Sequence, residues 1–309
     1  MTSTPNPDHA AAAAPSPTLS DWIAGARPRT LPAAVVPVAV GAGAAAGAGE
    51  SLGDDVVWWR IAVALAVSLL LQIGVNYAND YSDGVRGTDD ARVGPMRLVA
   101  SGVASPGAVK RAALGALGLA ALAGLALAVA TSWWLVVVGL AAILAAWGYT
   151  GGPRPYGYLG LGEVFVFVFF GLVATVGTTY VAIESVPAVS WVAATGVGLI
   201  ACALLVVNNL RDIPTDAVSG KRTLAVRLGD RRTRWFYVTL MAATFVCAGL
   251  CALDRPWSLL GWIGVVAAVP PIRVVLGGAT GGALVPVLAA TGRTQLVFGL
   301  GLAVGLAIG

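Results

Sequence analysis

The sequence predicts an all-α polytopic membrane protein. Of its 309 residues, 58% are hydrophobic and only 11% charged, against about 25% charged in an ordinary soluble domain. Runs of Ala, Leu, Val and Gly approach or exceed the roughly 20 residues that carry a helix across a bilayer. Forty glycines would weaken soluble helices, whereas small residues let membrane helices approach closely.

Residues 1–20 are rich in Ala, Pro, Ser and Thr and read as a disordered tail. They lack the basic start of a cleaved signal peptide. Residues 21–309 read as a single membrane-embedded domain. The stretch WIAGARPRTLPA, 22–33, enters the interface beside Trp22. Spans are predicted at 30–48, 57–80, 111–131, 133–150, 161–183, 188–209, 234–253, 257–276 and 293–309, nine in all. Pro270 and Pro271 predict a kink in the eighth.

Charge sets the expected orientation. With the N-terminus in the cytoplasm and the C-terminus outside, 17 of the 19 Lys and Arg fall on cytoplasmic segments. Only Arg60 and Arg255 fall outside, where Glu50, Asp54, Asp55, Glu184 and Asp254 also lie. This is the positive-inside pattern of a multi-pass plasma (inner) membrane protein. Trp58, Trp59, Trp133, Trp134 and Trp257 fall near the outer ends, as an interfacial belt does. No dense basic face points to nucleic acid. The single histidine, His9, lies in the tail, which excludes histidine catalysis. Cys202, Cys247 and Cys251 lie in apolar runs with no metal-ligand spacing.

Two polar stretches break the apolar pattern: VNYANDYSDGVRGTDD, 75–90, and VNNLRDIPTDAVSGKRT, 207–223. They align at an offset of 132, pairing Asn76 with Asn208 and Asp80 with Asp212, and each carries a glycine downstream, Gly87 and Gly220. The spacing puts Asn76, Asp80 and Asp83 on one helical face. In the second stretch Pro214 argues against helix beyond Asp212, leaving Asp216 to be placed by a bend. Carboxylates at membrane depth need a partner or a wet cavity. Two facing sets repel unless cations lie between them, and hard oxygen donors with amide neighbours suit Mg²⁺ shared with phosphate oxygens. Arg86, Arg92, Arg97, Lys221 and Arg222 follow the acids and suit a diphosphate leaving group. Read singly, either stretch is also an ordinary solvated helix end. Asp90 and Asp230 read that way.

At this point the sequence resembles the UbiA superfamily of intramembrane aromatic prenyltransferases. The N-D-x-x-D motif is Asn79 to Asp83, and the D-x-x-x-D motif is Asp212 to Asp216. ARPRTLPA (26–33), NDYSDGVRGTD (79–89) and YTGGPRPYGYLGLGE (149–163) look most like the branch that prenylates 1,4-dihydroxy-2-naphthoate in menaquinone synthesis. Gly87 stands where a third Asp of the first motif often lies, with Asp89 two residues on. The resemblance implies nine helices around a central cavity open to the cytoplasm, Mg²⁺, a polyprenyl diphosphate and an aromatic acid. Transfer of the chain with loss of CO₂ and diphosphate would give demethylmenaquinone.

On this reading Asp80, Asp83, Asp212 and Asp216 bind Mg²⁺, and Asn76, Asn79, Arg86, Asn208 and Lys221 serve the diphosphate. Arg27, Tyr149, Arg154, Tyr156 and Glu163 border the acceptor. Each has a plainer alternative. The asparagines serve equally as interhelical hydrogen bonds, Arg27 and Arg29 as interfacial anchors, and the glycine-rich 149–163 loop as a tight turn. That loop lacks the GxxxxGK[ST] pattern of a P-loop. Phe165, Phe167, Phe169 and Phe170 are too many for one helix face and divide between packing and tunnel. Other acceptors (4-hydroxybenzoate, haem or a phosphosugar) remain open within the class. A secondary transporter is the alternative outside it, disfavoured because its repeats would place ion sites at mid-membrane.

Overall fold

The computed structural model describes residues 16–88 and 96–309. Most of the expected tail lies outside these residues, as do Asp89, Asp90 and Arg92. Helix α1, Leu19–Gly25, opens on a capping box made by Thr18 and Asp21. A 3₁₀ turn, Pro28–Thr30, leads into α2, Pro32–Ala46, at a bend of 52°. There follow α3 (Trp58–Arg86), α4 (Pro106–Ala130), α5 (Trp134–Gly148), α6 (Gly162–Ile183), α7 (Ala188–Val218), α8 (Asp230–Cys251), α9 (Pro256–Leu276) and α10 (Gly281–Ile308). No strand forms among the described residues.

Seven of these helices are long and apolar enough to cross a membrane, or eight if the bent segment through α2 counts as one. Helix α5, with 15 residues, is shorter. Each matches one predicted span. The last begins earlier than expected, at Gly281 instead of 293.

Helix α7 is the most buried of the long helices, and α3 is buried mainly in its second half, from Gln72 to Asp83. The main core joins α2, α7, α8 and α10 through side chains such as Val36, Ile200, Met241 and Phe298. Helices α3 and α4 pack as a pair, with α5 against both. Many large apolar side chains on α4, α5 and α9 face outward, as lipid contact requires. The five tryptophans of the expected belt are all more than half exposed, at helix ends opposite the two Asn/Asp stretches.

Proline does less than expected. Helix α7 runs through Pro214 to Val218, so Asp216 is placed by regular helix and not by a bend. Pro214 removes only one backbone donor, close to the helix end. Helix α9 holds Pro270 and Pro271 inside its α-helical part, its first eight residues being 3₁₀.

The two polar stretches end their helices in the same way. Gly87 and Gly220 both adopt the left-handed conformation, with φ of 68° and 77°. In each, the next residue's N–H reaches back to an Asp carbonyl: Thr88 to Asp83 at 3.1 Å, and Lys221 to Asp216 at 2.9 Å. This is the Schellman cap, which favours glycine at that position.

Candidate active site

The shared cap re-registers the repeat. Its offset is 133, not 132: Asn76 pairs with Asn209, Asn79 with Asp212, Asp83 with Asp216, and Gly87 with Gly220. Side chains at this register line one chamber of about 1010 Å³. Its polar end holds Asn76, Asn79 and Asp83 from α3, and Asn208, Asn209, Asp212 and Asp216 from α7.

Asp80 lies on the expected helical face beside Asn76 and Asp83 but off the chamber. Its carboxylate accepts from the Leu98 N–H at 2.8 Å and the Val99 N–H at 3.0 Å. It is fully buried and does not line the chamber. The cavity stripe of α3 runs through Gln72, Asn76, Asn79 and Asp83. Asp80 lies about 100° around the helix from Asn79, towards the 97–101 turn.

Asp83 and Lys221 join the two halves. Lys221 Nζ is 3.3 Å from Asp83 Oδ1, and the Tyr158 hydroxyl donates to the same oxygen at 2.5 Å. The Tyr158 ring carries Lys221 at 4.8 Å and Arg86 at 5.5 Å from its centroid. Burial, reinforced by the Asp83 charge and their hydrogen bond, raises the Tyr158 pKa and keeps the phenol a donor. On α7, Arg211 grips Asp212 through Nε–Oδ1 at 2.6 Å and Nη2–Oδ2 at 2.7 Å, and also reaches Asn208 at 3.0 Å.

The N-terminal segment closes one side. Arg27 sits in the left-handed region, φ 54°, a strained conformation for a side-chain-bearing residue. Its guanidinium reaches the Asn76 carbonyl at 3.3 Å and lines the chamber. Asn76 Nδ2 donates to the Ala26 carbonyl at 2.8 Å and to Thr30 Oγ1 at 3.1 Å. Asn76 is therefore committed to holding this segment.

Other expected residues divide. Tyr149 and Tyr156 line the chamber, edge to face at 5.5 Å, and Tyr156 stacks on Phe165 at 3.9 Å. Phe165, Phe169 and Phe170 also face the chamber, while Phe167 packs against the main core. Arg86 does not line it. Its guanidinium donates to the carbonyls of Thr150 and Gly152 and so braces the 149–161 loop. Arg154 is exposed and off the chamber. Glu163 is buried behind the wall, bonded to Asn209.

Sequence reasoning missed Arg211, Asn209 and Tyr158. The first two sit inside the quoted NNLRD string, and their helical phase could have found them. Tyr158 is brought to Asp83 only by the fold.

Arg27, Arg29, Arg97, Arg211 and Lys221 face Asp83, Asp212 and Asp216 around this end, five cations against three carboxylates. Such a balance suits a polyanion. Among the described residues, no three acidic, His or Cys side chains converge to hold a metal unaided. Mg²⁺ needs only one or two carboxylates when phosphate oxygens and water complete its shell. An all-oxygen set of Asp83, Asp212 and Asp216 with amide neighbours fits that mode.

Residues 34–276 match the UbiA prenyltransferase family. Over 290 residues the chain is 51% identical to the 1,4-dihydroxy-2-naphthoate octaprenyltransferase of Mycobacterium tuberculosis, covering 94% of this chain and 98% of that one. The enzyme of the same description from Escherichia coli is 37% identical over 302 residues, covering 91% and 94%. A solved UbiA homologue from Archaeoglobus fulgidus, bound to GPP and Mg²⁺, shares the fold at a TM-score of 0.61 and 15% identity, covering 89% of this chain and 99% of that one. With two matched acid-and-amide helix ends facing one chamber, and the family match running through both, the chain belongs to the UbiA prenyltransferase family.

Proposed function

We propose that this protein transfers a polyprenyl chain from an allylic polyprenyl diphosphate to 1,4-dihydroxy-2-naphthoate, with loss of CO₂ and diphosphate, giving demethylmenaquinone. One observation carries the chemistry: Asn79 and Asp83 share a chamber with Asp212 and Asp216, and the rest of that chamber is mostly apolar. The acceptor follows the relatives of 51% and 37% identity, both described as acting on 1,4-dihydroxy-2-naphthoate.

Asp83, Asp212 and Asp216, with Asn79 and Asn208, are the residues that would hold Mg²⁺. When bound there, Mg²⁺ neutralises charge on the departing diphosphate. Lys221, Arg211 and Arg97 offer charge-assisted hydrogen bonds to its oxygens. As the allylic C–O bond breaks, its electron pair leaves with the diphosphate. Tyr156, Phe165 and Phe169 line the chamber with aromatic rings that would stabilise the allylic cation, and the apolar wall excludes water that would capture it. The electron-rich ring then forms the new C–C bond to the allylic cation, and the ring–carboxylate bond breaks, its electron pair restoring the aromatic ring as CO₂ leaves.

The same reading takes residues 21–309 as one membrane-embedded unit of nine spans, with α5 and the bent α2 segment each crossing. The positive-inside pattern supports a cytoplasmic site, a cytoplasmic N-terminus and an outer C-terminus in the plasma membrane. The test is product analysis by mass. Membranes containing the protein receive farnesyl diphosphate, Mg²⁺ and a panel of aromatic acids. Prenylated, decarboxylated naphthoquinol is expected. Exclusive prenylation of 4-hydroxybenzoate would overturn the acceptor assignment, and no prenylated product would overturn the reading.

A further inference from the structure

Asn209 lines the chamber three residues before Asp212, and its Nδ2 donates to Glu163 Oε1 at 3.1 Å. Glu163 stands in the first turn of α6 and is only 6% exposed. Close packing brings it there. A Cβ at Gly162 would lie 3.2 Å from both Leu205 Cδ2 and Tyr149 Cε2. The Cys202 thiol, on α7, also bonds the Glu163 carbonyl at 3.1 Å. The second carboxylate oxygen, Oε2, is buried and makes no hydrogen bond among the described residues. A buried carboxylate with one oxygen left without a hydrogen bond is costly, so fold stability alone is a poor reason for it.

The contrast with the first copy is informative. Asn76, the counterpart of Asn209, spends Nδ2 on Ala26 and Thr30, and its Oδ1 accepts from Gln72 at 3.4 Å. In Asn209 the amide nitrogen is taken by Glu163, which leaves Oδ1 for the chamber. A carbonyl oxygen only accepts. It repels phosphate oxygens and suits a hydroxyl donor. Tyr149, packed on Gly162, lines the same chamber.

We propose that Glu163 is a positioning residue that orients Asn209, whose Oδ1 binds a ring hydroxyl of the aromatic acceptor. The inference rests on the prenyl-transfer reading and adds the group that holds the second substrate.

Steady-state kinetics with farnesyl diphosphate and 1,4-dihydroxy-2-naphthoate test it. Glu163→Leu is expected to raise the acceptor KM about tenfold, the worth of one hydrogen bond, with the diphosphate KM and the Mg²⁺ dependence unmoved. Glu163→Gln, whose amide oxygen still accepts, should recover most of that loss. Asn209→Leu should match Glu163→Leu, and the double variant should be no worse than either. Monodisperse elution in detergent and an unchanged diphosphate KM show that the variants fold. The proposal is overturned if Glu163→Leu changes only kcat, if it shifts the Mg²⁺ dependence instead of the acceptor KM, or if the two losses multiply. A wild-type protein that prenylates no naphthoate would sink the underlying reading instead.

Discussion

Lys221 Nζ lies 3.3 Å from Asp83 Oδ1, joining the cap of α7 to the end of α3. The Tyr158 hydroxyl shares that oxygen, and its ring lies under both Lys221 and Arg86. Tyr158 thus holds an acid and two cations in register. Tyr158→Phe keeps the ring and loses the hydroxyl bond to a carboxylate, worth about 1.5–3 kcal/mol. Tyr158→Leu also loses the cation–π contacts, about 0.5–1 kcal/mol each where exposed. Turnover is expected to fall in the order wild type, Phe, Leu, with the diphosphate KM rising in step. Equal rates for the wild type and both variants would refute this role.

The re-registered repeat separates Asp80 from the other acids. Asp83→Asn and Asp216→Asn are expected to lower kcat by about 10²- to 10³-fold, as removal of one preorganised charge-stabilising group does, without loss of fold. Asp80→Ala should act on stability. It frees the Leu98 and Val99 N–H groups, each costing about 1–3 kcal/mol if left unsatisfied. Thermal inactivation in detergent, read beside turnover at low temperature, distinguishes the two. An Asp80→Ala protein with wild-type stability and no turnover would return Asp80 to the metal-binding set.

Arg154 and Arg86 make a second contrast. Arg154 is exposed and off the chamber, so Arg154→Ala should leave both KM values within about twofold, as surface substitutions within roughly 0.5 kcal/mol do. Arg86→Ala removes the brace on the Thr150 and Gly152 carbonyls. It should increase proteolysis of the 149–161 loop more than it raises the diphosphate KM.

The helices were legible because bilayer spans announce themselves by length and apolarity. All nine predicted segments correspond to helices. Pro214 misled because one missing N–H near a helix end costs less than continued packing returns. The acids were legible as a set and as a helical face, but not which of them line the chamber. Asp80 and Asp83 both lie one helical turn from Asn76 or Asn79, and a shift of one residue decides which enters the chamber. The matched caps at Gly87 and Gly220 carried the correct register, which the more obvious match of Asn76 with Asn208 concealed. Contacts such as Tyr158 with Asp83, 75 residues apart, are set by tertiary folding and have no local sequence signal.

The apolar arm of the chamber yields the last prediction. It follows α5 from Tyr149 to Leu135, roughly 20 Å at about 1.5 Å per residue. Helix α5 packs on α3 and α4, while α6 packs on α2 and α7, and the arm runs between α5 and α6. An extended tail of eight isoprene units, used as a probe, is longer than the hydrocarbon core is thick, about 30 Å, so on binding it would have to fill this arm and fold back or leave it. Gly139 and Gly177 line the arm, and a Cβ at either would meet nothing within 4 Å. The Cβ of Gly139→Phe therefore enters open space, from which the ring narrows the arm. It is expected to lower turnover of octaprenyl diphosphate by about tenfold or more relative to geranyl diphosphate, a pocket-shape discrimination of a few kcal/mol at most. The rate with geranyl diphosphate serves as the control for fold and chemistry. An equal loss with both donors would mean that the long tail takes another route.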